Sequence, residues 1–209
     1  MTAYASRTGT RRNLAALRGA GWRLLVSARG VLRHEGFPYA IDNGAWTAFQ
    51  KDEPFDVPAF EKAVEWGGSG ADWLILPDIV GGGIESLRVS MEWAPRLQGV
   101  CPLLLAVQDG MTIADVAPLV GPGLGIAIGG STEWKEGTLA AWGALAREKG
   151  AYLHVLRVNT CRRIDLCRDA GAHSFDGSSV TRFACNLPLL DGARRQLSLL
   201  NGAPHASSS

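Results

Sequence analysis

A short apolar run followed by a segment of helical pattern recurs along the whole of this chain. Runs such as Trp73–Leu76 and Leu103–Val107 are apolar without interruption, which is typical of parallel strands covered on both faces. Eight strands are predicted, and they start near Tyr4, Trp22, Tyr39, Trp73, Leu103, Leu124, Leu153 and Ser174. Strands that alternate with helices indicate an α/β fold, and eight units predict a small TIM-like (β/α)₈ barrel with at least one helix reduced to a loop. An open doubly wound sheet is the alternative.

Helices are predicted between most of the strands. They cover 11–19, 58–66, 84–97, a short segment from Thr112, 138–149, 162–170, and a last helix that runs towards Leu200. No linker rich in proline, serine or charge interrupts the alternation. Residues 1–202 are therefore predicted to form one domain, and 203–209 a disordered tail.

The overall charge is too small for electrostatic attraction of the whole protein to a polyanion. The formal net charge is +1 over 209 residues, so any contact with nucleic acid has to be local, through the clustered arginines. The four cysteines form neither a C-x-x-C pair nor a zinc-finger spacing, so no metal is expected. Neither a signal peptide nor an apolar run long enough to cross a membrane is present, which predicts a cytoplasmic protein.

Polar residues or glycines follow five of the predicted strands directly. They are Asp42, Asp78, Gln108, the pair Gly129 and Gly130, and Asp176. Taken singly, each has an ordinary structural explanation as a turn residue or a helix cap, and Asp176 in particular precedes a possible helix start. In a barrel, however, these positions meet at one end, where the pocket lies. Together they predict a pocket for a planar heterocycle rich in donors and acceptors, with further carboxylates suited to glycosidic chemistry through a covalent intermediate.

Five segments in this order resemble the tRNA-guanine transglycosylase superfamily, and more closely its small phage and bacterial relatives that insert 7-deazaguanine bases into DNA. Residues 40–44 (AIDNG) are similar to the family's Asp-Ser-Gly-Gly segment, and 76–78 (LPD) to its base-gripping strand end. Residues 107–110 (VQDG) resemble its Val-Gln-Gly-Gly, and 127–130 (AIGG) its Gly-Gly segment. Residues 174–182 (SFDGSSVTR) resemble the nucleophile segment with its downstream Thr-Arg.

The resemblance implies a role for each matching residue. Asp176 is the expected nucleophile and Asp42 the expected general acid and base. The base is expected to be held by Asp78, Gln108, Gly129, Gly130 and Asn43, the last of which stands where the family has serine. Arg182 is expected to contact phosphate together with other arginines, among them Arg7, Arg11 and Arg12. The implied substrates are DNA and a 7-deazaguanine such as 7-cyano-7-deazaguanine, with no cofactor and with a possible partner protein that opens the duplex.

The chain departs from the family's full-length tRNA enzymes at its C-terminal end. Those enzymes carry a zinc site of three closely spaced cysteines and a histidine, whereas Cys185 is the single cysteine that follows Asp176 here. The departure favours DNA over tRNA as the acceptor. Three alternatives stay open: a tRNA transglycosylase without the zinc subdomain, a noncatalytic subunit that binds nucleic acid or a deazapurine, and a glycoside hydrolase with a carboxylate pair.

Overall fold

Eight parallel strands close into a barrel in which each strand pairs with its neighbours in the chain. The structure is a computed structural model that describes residues 1–196. The strands are β1 Thr2–Ser6, β2 Arg23–Ser27, β3 Tyr39–Asp42, β4 Leu74–Ile75, β5 Leu103–Val107, β6 Leu124–Ile128, β7 Leu153–Val155 and β8 Ser174–Gly177. Pairing of β1 with β8, with Tyr4 opposite Asp176, completes the closure. The (β/α)₈ prediction is confirmed, and the open sheet is wrong.

Helices cover the outside of the barrel. They are α1 Arg11–Ala20, α2 Ala45–Gln50, α3 Val57–Gly67, α4 Gly83–Leu97, α5 Ile113–Val116, α6 Thr132–Lys149, α7 Cys161–Asp169, α8 Ser179–Arg182 and α9 Asn186–Arg195, with a 3₁₀ turn at Gly68–Gly70. Residues 28–38, between β2 and β3, contain no helix, as expected for a barrel with one helix reduced to a loop. The proposed tail at 203–209, and the end of the proposed domain at 197–202, lie outside the described residues.

Three helical segments differ from the prediction. Helix α6 begins at Thr132 instead of Thr138, because the Ser131 side chain caps it and Gly137 is tolerated inside the helix. The single helix expected after β8 is two helices, α8 and α9. Helix α2 was not predicted, and it follows Gly44, whose φ of 85° turns the chain sharply at the end of β3.

The barrel interior and its outer layer hold separate groups of apolar side chains. The interior is filled by Tyr4, Leu25, Ala40, Trp73, Ile75, Leu104, Ala106 and Ala127. The larger cluster lies between the outward faces of the strands and the helices. Because side chains alternate along a strand, residues two apart on β7 and on β8 share the inward face. This alternation brings polar groups of those two strands into the interior beneath the carboxyl ends.

The amino-terminal end of the barrel is closed by polar contacts. Arg23 Nη1 lies 2.6 Å from Asp72 Oδ1, and the Tyr4 hydroxyl donates to Asp72 Oδ2 at 3.0 Å. Ligand access from this end is therefore blocked, and the opposite end is the open one. No helix within residues 1–196 has both the length and the apolar character needed to span a lipid bilayer.

Candidate functional site

A cavity of about 530 Å³ opens at the carboxyl ends of the strands. Its volume falls within the range of cavities that bind small molecules in proteins. Residues singled out in the sequence that line it are Arg7, Asp42, Asn43, Asp78, Gln108, Gly129, Gly130, Asp176 and Arg182. Arg11 and Arg12 do not line it; they are exposed in the first turn of α1. The carboxyl ends of the strands thus bring together most of the predicted site residues.

Asp176 lies near the end of β8 and is almost enclosed, with 5% of its surface exposed. Its Oδ1 accepts a hydrogen bond from the backbone amide of Arg157 at 3.1 Å and lies 3.2 Å from His154 Nε2. It does not cap the following helix, because the N-cap of α8 is Ser178. The carboxylate is therefore held by β7 and the segment that follows it and borders the cavity, which rules out the helix-cap interpretation.

Arg157 links three sides of the cavity. Its backbone has a φ of 59°, a left-handed conformation that is costly for a residue with a side chain and is often found at functional sites. That conformation directs its amide to Asp176, while its guanidinium donates to the carbonyl of Gly130 and lies 4.2 Å from the centre of the Trp46 ring. Burial lowers the pKa of Arg157, and the nearby charges of Asp176, Asp109 and Asp78 oppose that shift.

Asp42 is the last residue of β3 and retains some surface towards the cavity. Burial, together with the negative charges of Asp176 and Asp78, raises the pKa of Asp42 to about 6. The Gly44 amide, which donates to Asp42 Oδ2 at 3.2 Å, opposes the shift. A carboxyl group with a pKa near neutrality can both donate and accept a proton at cellular pH.

Asp78 follows β4 and is held in place by Asn43. The Asn43 amide nitrogen donates to Asp78 Oδ1 and to the Leu76 carbonyl, each at 2.7 Å, and its oxygen accepts from the Ala45 amide at 2.8 Å. Asn43 is only 3% exposed, and both of its amide protons are used within the protein. Asn43 therefore orients Asp78, and its expected contact with the base, which stays a prediction, requires the exchange of one of these hydrogen bonds. Burial raises the pKa of Asp78 to about 6, against the opposing effects of Asn43 and Arg157.

Asp78→Asn is expected to stabilise the protein at high pH. A carboxyl whose pKa rises from 3.8 to about 6 on folding contributes stability below 3.8 and loses it as the pH rises through about 6. The asparagine removes the buried charge and keeps an acceptor for Asn43. Chemical denaturation should show a gain of about 1–3 kcal/mol at pH 8 that shrinks towards zero near pH 4. Asp115→Asn is the control, because hydrogen bonds from Thr112 lower the pKa of that carboxyl and reverse the expected sign. A gain for Asp78→Asn that does not vary with pH would contradict this account.

Gln108 fastens the loop between β4 and α4. Its amide nitrogen donates to the Ile79 carbonyl at 2.7 Å and to the Ser86 hydroxyl at 2.8 Å, and its oxygen accepts from the Gly81 amide at 2.6 Å. The side chain is 3% exposed although it borders the cavity. Contact between Gln108 and a ligand therefore requires the exchange of one of these hydrogen bonds.

Gly129 and Gly130 form a bare section of the cavity wall after β6. Gly130 has a φ of 72°, and a Cβ there would lie 2.5 Å from Asp109 Oδ2, so this position requires glycine. A Cβ on Gly129 would make only ordinary contacts, the nearest at 3.4 Å from the Val107 carbonyl. The pair leaves space beside the backbone that a flat ring can occupy.

A scan against protein-family models finds no match, and a search of curated proteins finds none at a significant level of similarity. The function is therefore inferred from the residues of the site and from the sequence resemblance.

The arginines expected to contact phosphate differ in their surroundings. Arg7 lines the cavity but is paired with Glu35 at 2.7 Å, which occupies part of its guanidinium. Arg182 is exposed at the cavity margin, at the end of α8. Asn13 Nδ2 donates to the Thr181 carbonyl at 3.4 Å and so joins α1 to α8. Helices α1 and α8 thus present exposed arginines side by side at the open end of the barrel.

A group of polar side chains beside Asp176, two of them buried, was not predicted from the sequence. His154 is fully buried, and its Nδ1 lies 2.7 Å from Ser174 Oγ, which in turn accepts from the Tyr152 hydroxyl at 2.9 Å. The signal was present in the alternation of β8, because Ser174 lies two residues before Asp176 and faces the same way. The register that places His154 opposite Ser174 is a property of the paired strands and cannot be read from either segment alone.

Lys135 is a second buried group that sequence reasoning missed. It lies in α6, is 4% exposed, and donates from Nζ to the Leu156 carbonyl. Burial lowers the pKa of Lys135 to about 8, and the charge of Asp176 opposes that shift.

Within residues 1–196, no group of three or more His, Cys, Asp or Glu side chains is arranged to hold a metal ion.

Proposed function

We propose that this protein is a guanine transglycosylase that replaces guanine in DNA with a 7-deazaguanine through a covalent intermediate on Asp176. One observation carries the proposal: three aspartates from different strand ends line one cavity, and their surroundings differ. Asp176 is held by hydrogen-bond donors, whereas burial raises the pKa of both Asp42 and Asp78 to about 6. Carboxyl groups whose surroundings differ within one site are suited to separate roles as nucleophile and proton carrier.

In the first half of the reaction, the Asp176 carboxylate attacks C1′ of the target nucleotide. A bond forms between the carboxylate oxygen and C1′, and the bond from C1′ to guanine N9 breaks with its electron pair going to the base. Protonated Asp42 donates its proton to the departing guanine, which leaves as a neutral molecule. The products are free guanine and a glycosyl ester on Asp176.

The second half reverses these events with a different base. The ionised Asp42 removes a proton from the incoming 7-deazaguanine, whose ring nitrogen attacks C1′. The ester bond breaks, and its electron pair returns to the Asp176 carboxylate. The two halves balance without loss of an electron or a proton, and the acid of the first half is the base of the second.

Recognition of the base is assigned to the part of the cavity wall formed by Asp78, Gly129 and Gly130. The Asp78 carboxylate accepts paired N–H groups from a guanine edge, and the bare backbone at Gly129 and Gly130 leaves room for the ring. Guanine must leave the duplex stack to reach a cavity at the end of the barrel. The exposed Arg182, with Arg11 and Arg12 on the adjoining helix, supports phosphate contact at the cavity margin.

The direct test is incorporation of labelled 7-cyano-7-deazaguanine by the purified chain. Three acceptors are compared: duplex DNA, single-stranded DNA and tRNA. Label in DNA and not in tRNA is the expected result. Label in tRNA alone would establish the tRNA alternative. Binding of nucleic acid without incorporation into any acceptor would contradict the proposed enzymatic activity and support the noncatalytic subunit. Hydrolysis of sugar substrates without nucleic acid would establish the glycoside hydrolase.

A further inference from the structure

We propose that His154, oriented by Ser174 and Tyr152, is a positioning residue that makes Oδ2 of Asp176 the attacking oxygen. The inference rests on the proposed function, because it takes Asp176 as the nucleophile. It assigns a role to two buried residues, His154 and Ser174, and to the half-buried Tyr152, none of which lines the cavity.

The direction of the hydrogen bonds follows from the number of protons available. Burial raises the pKa of Tyr152, so its hydroxyl keeps its proton and donates to Ser174 Oγ. Ser174 has a single hydroxyl proton, and the remaining partner within reach is His154 Nδ1 at 2.7 Å. Nδ1 is therefore the acceptor, and in a neutral imidazole the proton then lies on Nε2, directed at Asp176 Oδ1.

His154 is held both in its neutral form and in its orientation. Burial lowers the pKa of His154, and the contact with Asp176 opposes the shift without reversing it. Its ring packs 4.4 Å from Trp73 and 5.9 Å from Tyr4, measured between ring centres. A neutral donor orients the carboxylate through a hydrogen bond without forming an ion pair with it.

The two oxygens of Asp176 are consequently different. Oδ1 faces two donors, the amide of Arg157 at 3.1 Å and Nε2 of His154 at 3.2 Å. No hydrogen bond to Oδ2 is found among residues 1–196, and Asp176 borders the cavity. Attack through Oδ2 leaves Oδ1 as the carbonyl oxygen of the ester. Both donors bind a carboxylate more strongly than an ester, so they also favour departure of Asp176 in the second half of the reaction.

Single-turnover kinetics on guanine-containing DNA test this role. His154→Phe keeps an aromatic ring between Trp73 and Tyr4 but donates nothing to Asp176, and His154→Gln restores a donor. We expect His154→Phe to slow both adduct formation and release of the adduct by added base by at least about tenfold, and His154→Gln to recover much of each rate. Equal rates for wild type and His154→Phe would overturn the inference, as would a loss that is equal in both variants.

Tyrosine variants test the outer part of the series of hydrogen bonds that ends at His154. Tyr152→Phe removes the hydroxyl that fixes the proton of Ser174, whereas Tyr39→Phe removes a hydroxyl that donates to the Gly67 carbonyl instead. We expect the first variant to slow adduct formation several-fold and the second to leave the rate unchanged. The same loss in both variants would indicate a general effect on barrel packing and would contradict the assignment.

Nitrogen-15 NMR of histidine-labelled protein provides a readout that does not require activity. His154, assigned by its loss in His154→Phe, should appear as the neutral tautomer with its proton on Nε2, and the Nε2 resonance should shift in Asp176→Ala. A proton on Nδ1, or a charged ring at pH 7, would overturn the inference even if base exchange occurs. The expected tautomer together with no DNA adduct for the wild type would instead reject the proposed function and leave the hydrogen-bond chain established.

Discussion

Asp176→Ala is expected to abolish the covalent protein–DNA adduct and to lower base exchange by at least about 10³-fold. Among the cavity carboxylates of residues 1–196, only Asp176 has one oxygen bound by both a side chain of β7 and a backbone amide from the segment that follows β7. The adduct is measured on denaturing gels, and exchange by incorporation of labelled deazaguanine.

Asp176→Asn separates the loss of the nucleophile from a loss of folding stability. Alanine leaves the His154 and Arg157 donors without a buried acceptor, which costs about 1–3 kcal/mol of stability. Asparagine retains an acceptor oxygen of similar geometry but is a poor nucleophile. Both variants should be inactive, and only alanine should lower the free energy of unfolding appreciably. Adduct formation by either variant at the wild-type rate would remove Asp176 from the mechanism.

Asp42→Asn is expected to slow base exchange by about 10²–10⁴-fold, which is the usual contribution of a general acid or base. In the wild type, adduct formation requires protonated Asp42, so its rate should fall as the pH rises through about 6. Asparagine cannot lose or supply a proton, and that fall should be absent in the variant. Single-turnover adduct formation between pH 5 and pH 8 measures both effects.

A base that leaves without protonation provides the sharper control for Asp42. DNA containing 7-methylguanine carries a positively charged base, which departs as a neutral molecule without help from an acid. Asp42→Asn should therefore form the adduct with this DNA much faster than with guanine DNA, while Asp176→Ala should form it with neither. An equal loss on both substrates would mean that Asp42 does not act as the acid.

The strand ends account for the part of the site that the sequence predicts correctly. Asp42, Asp78 and Asp176 each directly follow an apolar run, and the geometry of a barrel brings such positions to one opening wherever the chain closes. The interpretation needs only the order of strands and helices, which the apolar pattern supplies. The same pattern predicts the barrel itself.

The roles of the amides could not be predicted in this way. Asn43 and Gln108 border the cavity as expected, yet their hydrogen bonds are made to neighbouring loops. Whether a side-chain amide faces a ligand or a loop depends on where backbone carbonyls and amides lie after folding. Nothing in the local sequence specifies those positions.

The groups that hold Asp176 depend on tertiary contacts. His154 occupies an apolar strand, and only the pairing of β7 with β8 reveals that it lies beside Ser174. Arg157 acts on Asp176 through its backbone amide in a left-handed conformation, which its side chain does not predict. Sequence patterns therefore identified Asp176 as a carboxylate of the cavity, whereas strand register and backbone conformation determine how it is held.

The most direct test of the central claim is to locate the covalent bond. The wild-type protein is incubated with guanine-containing DNA without an incoming base, the adduct is isolated under denaturing conditions, and its peptides are sequenced by mass spectrometry. The proposed mechanism predicts a deoxyribose ester on Asp176. An ester on Asp42 or Asp78, or base exchange in which no adduct can be trapped at any time, would contradict it.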